Sequence, residues 1–153
     1  MIKLSKKVEY GLISVLFIDS NGSDSPTTCR EITDKFDLPY ELTGKVLQAL
    51  KKAEIVSSVQ GVKGGYSLNR SLDDVSIGEL IESIDGPFML TPCISTKENC
   101  GCEREPMCNI KTPVHHLQNL LYNFTYNISL AQFQNVDLDP EKIGAYNVYF
   151  ERN

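Results

Sequence analysis

Two short β-prone runs, Ile55–Val59 and Tyr66–Leu68, bracket the glycine-rich stretch Gly61-Val62-Lys63-Gly64-Gly65, and this pairing constrains the fold most. Such runs around glycines read as a hairpin. What precedes them is helical. A first helix runs from Ser5, a good N-cap, to Asp19, with Val8, Leu12, Val15 and Leu16 on one face. Asn21–Pro26 is a loop by composition, and Thr27 or Thr28 then caps a short helix through Arg30, Ile32 and Phe36. A third helix extends from about Tyr40 to Ala53, with Leu42, Val46, Ala49, Leu50 and Ala53 on its apolar face and Lys45, Gln48, Lys51 and Lys52 elsewhere. Helix, short helix–turn–helix and hairpin, in that order, spell a winged helix-turn-helix. The glycines do not form the Gly-x-x-x-x-Gly-Lys-Ser/Thr pattern of a phosphate loop.

After the hairpin, Ser76 caps a helix carrying Ile77, Leu80, Ile81 and Ile84, and Glu79 at its third position completes a capping box. Gly86-Pro87 ends it. Pro113 suits the first turn of a long helix in which Val114, Leu117, Leu121, Phe124, Ile128 and Ala131 recur at alternating spacings of three and four. That is a heptad seam, expected to pair with its twin in a homodimer. The expected organisation is mainly α: a winged domain over 1–85, a cysteine-rich loop over 86–111, a dimerisation helix over 112–135 and a tail over 136–153.

Four of the five cysteines, Cys93, Cys100, Cys102 and Cys108, fall inside sixteen residues. The intervening gaps are six, one and five residues. None is the two-residue gap of zinc knuckles or of thioredoxin-type redox motifs. A metal cluster held by unevenly spaced thiolates fits better. A disulfide-stapled loop fits only an oxidising compartment, and nothing routes this chain to one. Lys3, Lys6 and Lys7 precede the apolar run Gly11–Ile18, but Asp19-Ser20-Asn21-Gly22 offers no cleavage site. The run is also far short of the ~20 apolar residues that span a membrane. The expectation is a cytoplasmic protein with no membrane partner. Its 153 residues suit one domain plus an oligomerisation element. Residues 1–70 carry ten Lys/Arg and eight Asp/Glu, whereas residues 71–153 carry five and twelve. A mildly basic front half is one that can meet phosphate.

In these segments the chain resembles bacterial transcription regulators of the Rrf-two family, the IscR-like and NsrR-like iron–sulfur sensors. The residues that carry the likeness are Leu4-Ser5-Lys6 with Tyr10, then Val56–Gly61 running into Gly64–Leu68. Ser76–Ile81, the cysteine loop and Asn127–Leu130 continue it in uninterrupted order. The resemblance implies a homodimer on a palindromic promoter and a cysteine-ligated iron–sulfur cluster, [2Fe–2S] in preference to [4Fe–4S]. Cys93, Cys102 and Cys108 best fit the family's three-cysteine pattern, with the first interval longer than usual, and Cys100 is an extra thiol able to replace Cys102 or to complete a four-cysteine site. IscR-like members carry His three residues after the last cysteine, where this chain has Lys111, and a protonated lysine cannot donate to iron. The fourth ligand is therefore open among Cys100, His115, His116 and Glu9 of the partner subunit. Glu9 reads equally as a solvated carboxylate on the first helix, and the two histidines as capping or surface residues.

On this reading the third helix enters the major groove. Tyr40, Glu41, Thr43, Gly44 and Lys45 lie nearest the bases, and Gln60 and Lys63 of the wing approach the minor groove or backbone. Affinity falls with salt as phosphate counterions are displaced. The competing reading is a winged-helix DNA-binding protein whose cysteines hold structural zinc or act as thiol-redox groups. An enzyme is not expected, because no nucleophile–base–orienter set is visible, and no small-molecule substrate is implied. Cys29 reads as a buried small residue.

Overall fold

A computed structural model describes residues 3–22, 25–61, 64–91, 93, 102–104 and 107–135. The elements are α1 (Lys6–Ser20), α2 (Cys29–Phe36), α3 (Tyr40–Lys52), β1 (Val56–Val59), β2 (Gly65–Leu68), α4 (Ile77–Asp85), α5 (Lys111–Tyr126) and α6 (Leu130–Gln134). The fold is the mainly helical winged helix-turn-helix expected. Cys100, Lys63 and the 136–153 tail lie outside the described residues.

The local signals act where the chemistry puts them. Ser5 caps α1 by accepting from the Val8 amide. Thr28, not Thr27, caps α2, and its Oγ1 and the Glu31 carboxylate satisfy each other's backbone amides in a capping box. Thr27 instead joins the wing: it exchanges two 2.8 Å backbone hydrogen bonds with Tyr66. That contact explains Gly65, where a Cβ would stand 2.8 Å from the Thr27 carbonyl carbon and oxygen. β1 and β2 pair antiparallel, Val56 opposite Leu68 and Val59 opposite Gly65.

One core serves the whole winged domain. Val8, Leu12, Val15 and Ile18 of α1 meet Ile32, then Val46, Leu47 and Leu50 of α3, and finally Ile55, Val56, Leu72, Val75 and Leu80. The buried face of α3 is Thr43, Val46, Leu47 and Leu50. It is rotated from the expected one, leaving Leu42 and Ala49 half-buried.

Two expectations need correction. The capping box at α4 is only half formed. Ser76 accepts from the Glu79 amide at 3.1 Å, but the Glu79 carboxylate accepts two hydrogen bonds from Arg70, at 2.5 and 2.9 Å. A bidentate guanidinium outcompetes a single backbone amide. The long helix also stops at Tyr126 instead of running to 135. Ser129 and Gln132 form their own capping box and start α6. Ile128 is buried and Leu130 joins the winged-domain core, held by Ile77 N to Ile128 O, Leu130 N to Val75 O and Ala131 N to Leu72 O at 2.9–3.2 Å. The seam residues Ile128 and Ala131 are thus intramolecular packing.

Candidate functional site

The helix-turn-helix and wing present one surface. Tyr40, Glu41 and Lys45 are exposed on α3, Gly44 is half-buried between them, and Gln60 is exposed at the end of β1. Thr43 is the exception among the residues expected there. At 100° per residue it shares the face of Val46, Leu47 and Leu50, its exposure is 0 %, and its Oγ1 has no partner among the described residues. Gln48, which the apolar-face reading set aside, stands exposed on the same side as Glu41 and Lys45. Cys29, at the start of α2, directs its thiol at the Tyr40 carbonyl, 3.9 Å away. Burial pushes that thiol above its ordinary range, so it stays protonated and poorly nucleophilic.

The second surface lies around α5. Leu117 and Leu120, neighbours on one face of α5, are 48 % and 38 % exposed, and Tyr122 on another face is 42 % exposed. The start of α1, the end of α4, residues 86–89 and α5 enclose a cleft of about 290 Å³ lined by Leu4, Ile81, Phe88, Met89, Leu121 and Tyr122, among others. Tyr126 closes its floor. Its hydroxyl donates to Glu82 of α4, and its ring stacks on Tyr122 at 4.2 Å. Desolvation, then the Glu82 contact, raises the Tyr126 hydroxyl far above its usual range, so it remains a donor at any physiological pH.

In the sequence the cysteine segment lies between α4 and α5. Cys29, Cys93, Cys102 and Cys108 are free thiols, with Cys93 and Cys108 half-buried and Cys102 exposed. Thr91 Oγ1 sits 3.2 Å from Cys93 Sγ. Among the described residues, no three His, Cys, Asp or Glu side chains stand close enough to share a metal ion. Glu9, a candidate fourth ligand, pairs with Lys6 at 2.6 Å on its own helix, and His115 and His116 are exposed in the second turn of α5.

A residue the sequence did not single out ties this segment down. Gln118 of α5 is only 6 % exposed. Its Oε1 accepts from the Leu90 amide at 2.8 Å, and its Nε2 donates to the Phe88 carbonyl at 2.5 Å. The chain leading into Cys93 is thereby fixed to α5. A polar residue beside the heptad seam carried no signal of this, because its partners are backbone groups 28 and 30 residues away.

Among the described residues, no helix is long and apolar enough to cross a membrane. The profile of the Rrf2 family, described as an iron-dependent transcriptional regulator, matches residues 4–135. An rrf2-like HTH-type transcriptional regulator of Rhodobacter capsulatus is 37% identical over 114 residues, covering 71% of this chain and 76% of that protein. The HTH-type transcriptional regulator IscR of Photobacterium profundum is 25% identical over 131 residues, covering 86% and 74%. Among solved structures, CymR, the global cysteine regulator of B. subtilis, superposes with a TM-score of 0.66 at 21% identity, covering 89% of this chain and 98% of that one. These relatives are regulators, not enzymes.

Proposed function

The chain belongs to the Rrf2 family of transcriptional regulators, and from that premise we propose that it is a cytoplasmic homodimer that binds promoter DNA and senses redox state, nitric oxide or iron–sulfur supply through a cysteine-ligated iron–sulfur cluster. The observation that carries this is the gathering of Cys93, Cys100, Cys102 and Cys108 within sixteen residues, between the winged domain and α5. Thiolates are the donors such clusters take, so the donor set fits, and the fit rests on that chemistry. Cys93, Cys102 and Cys108 would hold the cluster, with Cys100, His115, His116 or the partner subunit's Glu9 completing the set. When bound, it supplies the sensitivity to oxidants, nitric oxide and iron supply.

The chain's own residues do the rest. Tyr40, Glu41, Gly44, Lys45 and the wing residues Gln60 and Lys63 meet DNA, with phosphate contacts giving salt-dependent affinity. The exposed face of α5 pairs two copies, which sets the distance between their recognition helices. Gln118 holds Phe88 and Leu90 against α5, so a change in the order of the cysteine segment reaches the dimer helix directly. An effector shifts DNA affinity only as far as it favours one arrangement over the other.

A second reading, favoured by the fold shared with a cysteine regulator, is that the thiols themselves are the sensor or hold structural zinc. Anaerobic visible absorption with iron, sulfide and zinc analysis, on wild type and Cys108→Ala, separates the two. Charge-transfer bands with matching iron and sulfide, lost in the variant, are expected. Stoichiometric zinc, or a colourless thiol protein even after anaerobic reconstitution, would establish the second reading.

A further inference from the structure

We propose that Gly44 is the point at which α3 comes closest to DNA, with Glu41, Lys45 and Gln48 around it as the base- and phosphate-reading side chains. This rests on the DNA-binding role proposed above for α3. Thr43, Val46, Leu47 and Leu50 form the buried face of the helix. Glu41, Lys45, Gln48 and Lys52 follow at spacings of three and four on the opposite side, with Gly44 three residues after Glu41 and four before Gln48, and all but the half-buried Gly44 are exposed. At 100° per residue Gly44 lies at one edge of that stripe, between Gln48 and the exposed Lys51 and Tyr40.

Eight glycines lie among the described residues, and seven have a reason within the chain. Gly22, Gly61 and Gly86 have positive φ, and a Cβ on Gly11, Gly64, Gly65 or Gly78 would come within 2.8 Å of another atom. Gly44 has neither reason: its φ is not positive, and a Cβ would meet nothing within 4 Å. Glycine inside a helix is less stable than alanine, so the folded chain gains nothing from it here. An external body that must approach the helix axis does. Glycine is the residue of close backbone approach to a ligand, and a major-groove base edge or phosphate is such a body. The side chains flanking the gap are of the reading type. Glu accepts from cytosine N4, Gln bonds adenine N6 and N7, and Lys bonds guanine or phosphate.

The probe is a double-stranded oligonucleotide selected from a randomised pool by the full wild-type chain. Gly44→Ala should melt about 1–4 °C higher, as a helix propensity gain in a chain of this size. It should nonetheless bind the selected duplex at least about tenfold more weakly, the loss of roughly one good contact. Gln48→Ala should relax the preference at one position of a repeated selection. Gly44→Ala that binds the selected duplex like wild type overturns the proposal. So does Gly44→Ala that melts lower or does not fold, because the face would then not be open. A wild-type chain that selects no sequence, or a Lys45→Ala variant with unchanged affinity for every duplex, would instead sink the DNA-binding role of α3 itself.

Discussion

Replacing Gln118 by Met keeps the side chain's length and removes its two hydrogen bonds, so the clamp on the cysteine segment is tested without opening a cavity. The magnitude follows from the partners. Each bond contributes about 0.5–1.5 kcal/mol net, and a buried group left unpaired costs more. Phe88 is 36 % exposed, so its carbonyl can turn to water, whereas the Leu90 amide is half-buried and loses its acceptor. The expected loss is about 1–3 kcal/mol, read as a fall in Tm of about 2–4 °C per kcal/mol for a chain of this length. Amide hydrogen exchange localises the effect: Leu90 N–H should exchange faster, by about tenfold per 1.4 kcal/mol, while amides of α3 keep their protection. An unchanged Tm together with unchanged Leu90 exchange would refute the clamp.

Gly78→Ala should lower the melting temperature, because its Cβ would lie 2.2 Å from Cδ2 of Tyr126. Overpacking of this kind costs about 1–3 kcal/mol, offset by at most ~1 kcal/mol of helix propensity, and a Gly78→Ala/Tyr126→Leu cycle should show coupling. Thr28→Ala should cost about 1 kcal/mol through the lost cap of α2, measured by thermal or urea unfolding. The backbone amide and hydroxyl of Thr28 hold the Glu31 carboxyl below its usual range. Its contribution is therefore present above the unfolded value of about 4.3 and fades as pH falls through the lower folded value. The stability gap between wild type and Glu31→Gln should accordingly shrink from pH 7 to pH 3. Leu117→Glu, at a position 48 % exposed, should leave the circular dichroism unchanged and convert the proposed dimer to a monomer in sedimentation; a retained dimer would remove α5 from the interface.

Much of the fold was legible because local rules and packing agree. Ser5, Thr28, Ser76 and Gly86 mark helix ends as their chemistry requires, and the β-branched run before the glycines forms the wing. The misses share a cause: a distant partner outcompeted a local pattern. Glu79 fits a capping box by spacing, yet Arg70 claims its carboxylate. Ile128 and Ala131 fit the heptad period, yet Ile128 is buried with its carbonyl accepting from Ile77 N, and Ala131 packs against the winged-domain core with its amide donating to the Leu72 carbonyl. On α3, alternating apolar residues allowed two phases, and Leu47 with the buried Thr43 decided for the one that exposes Gln48. Of the candidate site, the surface positions of α3 could be read from the helix period once its phase was known. The Gln118 clamp could not, since it depends on backbone groups that the fold brings to it from far along the chain.

On the function proposed here, the state of the cysteine segment sets the affinity for DNA. The direct measurement is anaerobic binding of the full-length protein to a selected promoter-like duplex, before and after the cysteines lose their ligated group or are oxidised, at fixed salt. Coupling between sites is ordinarily about 1–3 kcal/mol, so the two states should differ in Kd by roughly 5–150-fold, and Cys108→Ala should bind like the stripped protein. Equal affinities in both states, with the wild-type dimer intact, would contradict the claim and leave the cysteines without a part in regulation.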